Sequence, residues 1–319
     1  MRAAALVPLA GMVVLIACAG SGLPAAEATP QTTATSSSTP AAAAVIVADT
    51  RVVFPASVPQ GAMVIGKVPA GSTVRHGGRM LRVTPYGSVV FGVARDQSGP
   101  VQALVGFPGG SEQTVVIAVT PRDWPLETIR GVPPQTVKPP AALAARIARE
   151  QAAVNAARTR DDIHTGFAEP FVWPVTGRIS GRFGSQRIYM LPDGSGSPGS
   201  AHSGMDIAAG QGTPIQAPAA GVVTFADNDL YITGGTVVLD HGHGISSNFL
   251  HLSRLDVSVG DTVAQGQVIG AVGATGRASG PHLHWGMNWF DVRIDPQLVR
   301  ERGELARAAS SVTGDAAGD

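Results

Sequence analysis

Apolar residues in this chain recur in short runs, not in long helical stripes. Between residues 45 and about 130, strand-length runs such as 89–93 and 114–119 alternate with the breaks Pro69-Ala70-Gly71 and Pro108-Gly109-Gly110. The same grammar returns from residue 171 to about 296, where 221–225 and 236–239 are apolar and Gly234-Gly235 marks a turn. Between these blocks, after Pro139-Pro140, residues 141–162 are dominated by alanine, arginine, glutamate and glutamine, with Leu143, Ile147 and Val154 on one face. That stretch predicts a helix. The pattern therefore predicts an all-β protein: a small β-sandwich-like N-terminal domain (45–135), a helical linker (136–166) and a C-terminal domain (167–300) built on an antiparallel, barrel-like β-sheet.

The ends read differently. After Arg2, residues 3–17 form an apolar run too short to span a bilayer comfortably but suited to the core of a signal peptide. Leu15-Ile16-Ala17-Cys18 resembles the lipobox of bacterial lipoproteins, which makes Cys18 a candidate lipid-bearing residue and 1–18 the leader. A second reading has an ordinary signal peptide cut near Ala26-Glu27-Ala28. Both readings export the chain to the periplasm or cell envelope. Residues 19–44 are alanine, threonine, serine and proline with few large apolar groups, so they cannot bury enough surface to offset their ordering entropy, and they predict a tether. Residues 301–319 predict a flexible tail.

Composition narrows the function. Basic and acidic residues both total 23, so no net charge draws the chain to nucleic acid or, apart from a lipid at Cys18, to a membrane. Cys18 is the only cysteine, so no intramolecular disulfide can form.

Six of the eight histidines lie between residues 202 and 284, three of them in two compact motifs: H-S-G-M-D at 202–206 and H-L-H at 282–284. Zinc takes imidazole nitrogen and carboxylate oxygen, and a catalytic zinc uses three protein ligands to keep a fourth position for water. On a strand, His282 and His284 project together while Leu283 packs behind. A hydrolase also needs a proton acceptor, yet residues 171–300 hold no glutamate and the chain has no H-E-x-x-H. The acceptor is then a histidine or a spare aspartate: His251, or whichever of His282 and His284 leaves the metal free.

Residues 171–296 resemble the lysostaphin or LytM-type zinc metallopeptidases of bacterial cell walls, with their duplicated hybrid motif fold. The likeness rests on H-S-G-M-D-I-A (202–208), G-T-P-I-Q-A-P-A-A-G-V-V (212–223), V-L-D-H-G-H-G (238–244), H-L (251–252), V-G-D-T-V-A-Q-G-Q-V-I-G (259–270) and G-A-T-G-R-A-S-G-P-H-L-H-W (273–285). The resemblance implies one zinc held by His202, Asp206 and His284, with His251 and His282 flanking the bound water. It also implies an endopeptidase acting on the stem peptides or crosslinks of peptidoglycan. Some relatives instead lack ligands and activate cell-wall amidases, and a wall-binding module with structural zinc is a third reading. Lipoyl-type carriers are excluded because no lysine follows Lys138.

Around this centre, Arg178 and Arg182 are candidates to bind a substrate carboxylate. Residues 186–201, rich in glycine, serine and proline, are a candidate lid. The N-terminal domain is the candidate contact for cell-wall or division proteins, or a gate. His241 and His243 are expected in a turn, as solvent-exposed groups or as supports behind the ligands. His76 is expected at the surface. Phe249 stands where many relatives have tyrosine.

Overall fold

The computed structural model describes residues 51–304. The leader with Cys18, the tether and residues 305–319 lie outside the described residues. Strands dominate, and none of the described helices is long and apolar enough to cross a membrane.

The N-terminal region contains β1 (Ser57–Pro59), β2 (Met63–Lys67), β3 (Thr73–His76), β4 (Arg79–Leu81), β5 (Ser88–Gly92), β6 (Val101–Gly106) and β7 (Glu112–Thr120). Five of these form a sheet in the order β1-β7-β6-β3-β4, while β2 pairs with β5. Then β8 (Leu126–Ile129) departs from this region and leads into the short helix α1 (Pro134–Val137) and into α2 (Ala144–Ala157). Arg158 caps the C-terminal end of α2.

The C-terminal region begins with β9 (Arg178–Gly181), β10 (Gln186–Met190), β11 (Gly196–Pro198), β12 (Gly204–Ala208) and β13 (Pro214–Gln216). It continues through β14 (Gly221–Leu230), β15 (Gly234–Gly242), β16 (Ile245–Leu252), β17 (Arg254–Leu255) and β18 (Thr262–Val263), and ends with β19 (Val268–Ala271), β20 (His282–Trp289) and β21 (Val292–Ile294). Its main sheet runs β18-β14-β15-β16-β20-β12-β9, with β21 also on β20, and it stays open instead of closing into a barrel. A smaller sheet, β13-β19-β17, accompanies it.

Alternation along β20 shows how the sequence places the chemistry. Leu283, Trp285 and Met287 are fully buried and Trp289 nearly so, all in one apolar core, so His282, His284, Gly286 and Asn288 fall on the opposite face. In β12, Met205 and Ile207 take the core side, which leaves Asp206 with the histidines. Burying a side chain such as Ile207, Leu283 or Phe249 contributes about 1.5–3 kcal/mol each, so the core anchors the register that presents the polar face. A one-residue slip would exchange the two faces.

Four features differ from expectation. The described residues all belong to one compact unit, and Phe91 and Val64 share a core with Trp285 and Ile294. Gly92 permits this closeness, because a Cβ there would meet Trp289 Cβ at 2.9 Å and Ile294 Cγ2 at 2.9 Å. His76 is not a free surface group: its ring stacks on Phe91 at 4.0 Å between centroids and lies 5.6 Å from Trp289. The helical segment starts at residue 141 as expected, with a 3-10 turn leading into α2, but ends at Ala157, and Val154 packs with Leu230 and Val238 on the side of β15 opposite Leu239. Residues 296–304 are helical with Val299 buried, so ordered chain extends past the expected start of the tail.

Candidate metal centre

His202, Asp206 and His284 converge on one point. His202 Nε2 lies 3.1 Å from Asp206 Oδ1 and 3.0 Å from His284 Nδ1, and His284 Nδ1 lies 2.9 Å from Asp206 Oδ1. Local pairing explains the convergence, because Asp206 on β12 is the direct cross-strand partner of His284 on β20. His202 enters from the segment before β12, where its backbone N–H donates to Ser185 O and its Nδ1 to Arg182 O. That bond fixes the tautomer and leaves Nε2 with a lone pair aimed at a carboxylate oxygen.

Two acceptors facing each other in a buried site repel unless a proton or cation lies between them. A tetrahedral ion about 2.0–2.1 Å from each donor needs donors about 3.3 Å apart, close to the triangle found. The donor set and spacing therefore fit zinc. All three side chains are buried. Burial alone would raise the Asp206 carboxyl, but a proton held between it and His202 or His284, where a cation would sit, outweighs burial and holds it well below the usual carboxylate range. His284 is pushed down to about 3, chiefly by burial, which keeps the imidazole neutral and free to ligate.

His251 and His282 stand beside this triad, with ring centroids 4.9 Å apart. Each donates through Nδ1 to a backbone carbonyl, Thr275 O for His251 and Gly280 O for His282, both at 2.8 Å, so each has Nε2 as its acceptor. His282 Nε2 is 3.7 Å from Asp206 Oδ1. Burial, then the neighbouring His282, push His251 down to about 4. Simple alternation would send His251 to the core with Ile245 and Phe249, and Leu252 outward. Instead His251 adopts φ 67°, Leu252 takes the core position, and the imidazole lines the cleft. Left-handed backbone at a non-glycine residue is unfavourable and recurs at functional sites.

A cleft of about 510 Å³ runs past these residues. One wall comes from α2, through Ile147, Glu150, Val154 and the capping Arg158. Arg178 lines the cleft and is exposed. The Arg182 side chain turns to Gln297 Oε1 at 3.1 Å, and its contribution to the centre is the carbonyl that orients His202.

Sequence reasoning missed Arg187. Its Nη2 sits 2.5 Å from Asp206 Oδ2, the oxygen turned away from the histidines. Its Nε is 3.7 Å from Glu127 of β8, and Glu127 also accepts from the Ser185 hydroxyl at 2.7 Å. Glu127 reaches the site because β8 pairs in parallel with β10, matching Glu127 with Arg187. Residues 186–198 therefore form two strands, β10 and β11, joined by a turn and held in a sheet with β8.

His241 and His243 are buried, not solvent-exposed. His241 bonds Ala220 O and the Ser247 hydroxyl, and His243 packs on Phe167 with ring centroids 4.7 Å apart. Neither belongs to the ligand group. Phe249 is fully buried in the core. Asp162, His164 and Asp240 form a second acid–histidine group. Arg160 already engages Asp162 there, and burial followed by the Asp162 charge raises the Asp240 carboxyl, which suits one proton shared by the two acids.

Residues 200–296 match peptidase family M23. The cell division protein DipM of Caulobacter vibrioides is 32% identical over 153 residues, covering 46% of this chain and 24% of DipM. The peptidoglycan DD-endopeptidase ShyA of Vibrio cholerae is 39% identical over 108 residues, covering 34% of this chain and 24% of ShyA. The chain thus spans about a quarter of the length of these curated relatives. A Pseudomonas aeruginosa crystal structure assigned to peptidase M23 aligns with TM-score 0.55 and 31% identity, over 76% of this chain and 93% of that one. With the matched segment carrying all five histidine and aspartate positions of the centre, and a solved relative covered almost end to end, the chain belongs to peptidase family M23.

Proposed function

We propose that the protein is a zinc-dependent endopeptidase that hydrolyses peptide bonds of bacterial cell-wall peptidoglycan, in stem peptides or crosslinks. The observation that carries this reading is the buried triangle of His202 Nε2, Asp206 Oδ1 and His284 Nδ1, bordered by two histidines with acceptor nitrogens in a cleft. The named activity of ShyA supports the substrate class.

His202, Asp206 and His284 would hold the ion, which supplies carbonyl polarisation and a water of lowered pKa. His251 and His282, kept in one tautomer by Thr275 O and Gly280 O, present Nε2 to the reacting groups. In this reading one imidazole takes the proton of the attacking water and the other, once protonated, steadies the developing oxyanion. Arg187 neutralises the far oxygen of Asp206 and fixes which oxygen meets the ion. No covalent intermediate is required. The apolar leader and Cys18 support export to the periplasm or envelope, with lipid attachment as the mode of anchoring.

The test incubates the full chain with purified peptidoglycan, with and without chelator, beside His284→Ala and His282→Ala, and identifies released fragments by mass spectrometry. Chelator-sensitive release by the wild type is expected. His284→Ala loses both metal and cleavage, whereas His282→Ala keeps metal and loses cleavage. Zinc retained with no fragment from wild-type protein would overturn the enzyme reading in favour of a regulator.

A further inference from the structure

Two arginines in the cleft have no acid to balance them. Arg158, at the end of α2, is 7% exposed, and its Nε donates to Asn248 Oδ1 at 2.6 Å. Its Nη1 reaches Asn155 Oδ1 at 3.3 Å. Arg293, on β21, is partly buried and donates from Nη1 to Asn288 Oδ1 at 3.2 Å. Asn248 Nδ2 also donates to Asn288 Oδ1, at 2.9 Å. Each arginine therefore meets neutral amides, and among the described residues neither forms an ion pair, in contrast to Arg146, Arg160 and Arg187. The buried Asn288 Nδ2 has no acceptor. The group is rich in donors and short of acceptors.

Buried guanidinium groups are costly to leave unpaired. Arginine does not escape by losing its proton, so the repulsion persists in the folded protein. Burial first, and the Arg293 charge second, disfavour the charge on Arg158. The group also sits in line with the candidate metal centre. Asn288 lies on the same face of β20 as His284, four residues on, or roughly 13 Å along the strand. Gly286 lies between, and a Cβ there would stand 3.5 Å from His284 Nε2 and 3.7 Å from Asn248 Nδ2. Arg158, Arg293 and Asn248 all line the same cleft as the five centre residues.

We propose that Arg158 and Arg293 form an anion subsite that binds a carboxylate of the substrate peptide, a few residues from the bond that is cut. The proposal rests on the peptidase reading above. Planar, forked guanidinium groups suit a carboxylate, and the unpartnered Asn288 Nδ2 adds a further donor beside them. Because Arg158 follows α2, the segment joining the two regions becomes part of substrate recognition.

The test uses the full chain, with soluble muropeptides and whole sacculi as probes, each untreated or with carboxyl groups converted to amides. Binding of muropeptides is measured on chelator-treated protein, so it does not depend on cleavage. Wild type should bind untreated muropeptides at least about tenfold more tightly than amidated ones, the scale of one charge-assisted bond. Arg158→Gln and Arg293→Gln should lose that preference, raise KM on untreated sacculi by a similar factor and leave kcat nearly unchanged. Arg158→Lys should restore only part of it. Removing one of two repelling charges should leave the Tm of ligand-free Arg158→Gln unchanged or raised. Equal wild-type binding of both probes overturns the subsite, even if wild type cleaves sacculi. Preference for the untreated probe with no cleavage sustains the subsite and overturns the enzyme reading. A fall in Tm of Arg158→Gln with the preference intact would make Arg158 a structural brace and overturn its role.

Discussion

Replacing Arg187 by methionine tests whether the candidate ligand carboxylate depends on a charge held outside the metal. Asp206 Oδ2 meets Arg187 Nη2 at 2.5 Å, and their side chains are 13% and 14% exposed. Removing one partner of a buried pair costs about 3–5 kcal/mol, because the remaining charge is left uncompensated. Asp206 Oδ1 keeps its contacts to His202 and His284, which favours the lower end. For a chain of this size, about 2–4 °C of Tm accompanies each kcal/mol, so a fall of about 6–20 °C is expected in chelator. The same substitution should weaken zinc binding about 10- to 100-fold in competition with a chromogenic chelator, as loss of a ligand's supporting partner does. Adding Asp206→Asn to Arg187→Met should cost less than the sum of the single changes, since the orphaned charge is then gone. A Tm within 2 °C of wild type, or strict additivity of the two substitutions, would refute the reasoning.

Gly181→Ala should injure the same pair from the other side, because its Cβ would lie 2.6 Å from Asp206 Oδ2 and 2.9 Å from Arg187 Nη2. Weaker zinc binding is expected, and unaltered affinity in the competition assay would count against that geometry. Phe91→Ala should cost about 3–5 kcal/mol and lower a single cooperative unfolding transition, whereas two separate transitions in calorimetry would contradict a shared core. Asp240→Asn concerns a carboxyl raised to about 7, mainly by burial, so the native state holds a proton that the unfolded chain gives up between about pH 4 and 7. Wild-type stability should therefore decline across that window and lack that component in the variant, and parallel stability–pH curves would exclude the effect.

Much of this arrangement was legible because strands alternate. H-L-H-W-G-M-N-W sends histidines and tryptophans to opposite faces by period alone, and Asp206 follows from M-D-I in the same way. His251 was legible as a candidate but not in its placement, since alternation points it into the core and only its left-handed backbone turns it into the cleft. Arg187, Glu127 and Arg158 could not be found by local spacing. Each acts through pairing between segments far apart in the chain, and an arginine on a strand or after a helix ordinarily means a solvated face. The absence of glutamate from residues 171–300 holds for that segment, yet Glu127 and Glu150 arrive from before it. The boundary at the linker was misleading for a related reason: composition changes there, but the core does not stop.

The parallel pairing of β8 with β10 has a consequence for any shortened form of the chain. Cutting before residue 167 removes β8 and uncovers its pairing edge along Gln186–Tyr189, on a strand that carries Ile188 and Tyr189. Such an edge invites a foreign strand, and the nearest supply is another copy of itself. A trimmed chain should therefore associate through β10 as its concentration rises, with Arg187, the partner of Asp206, on the strand that forms the seam.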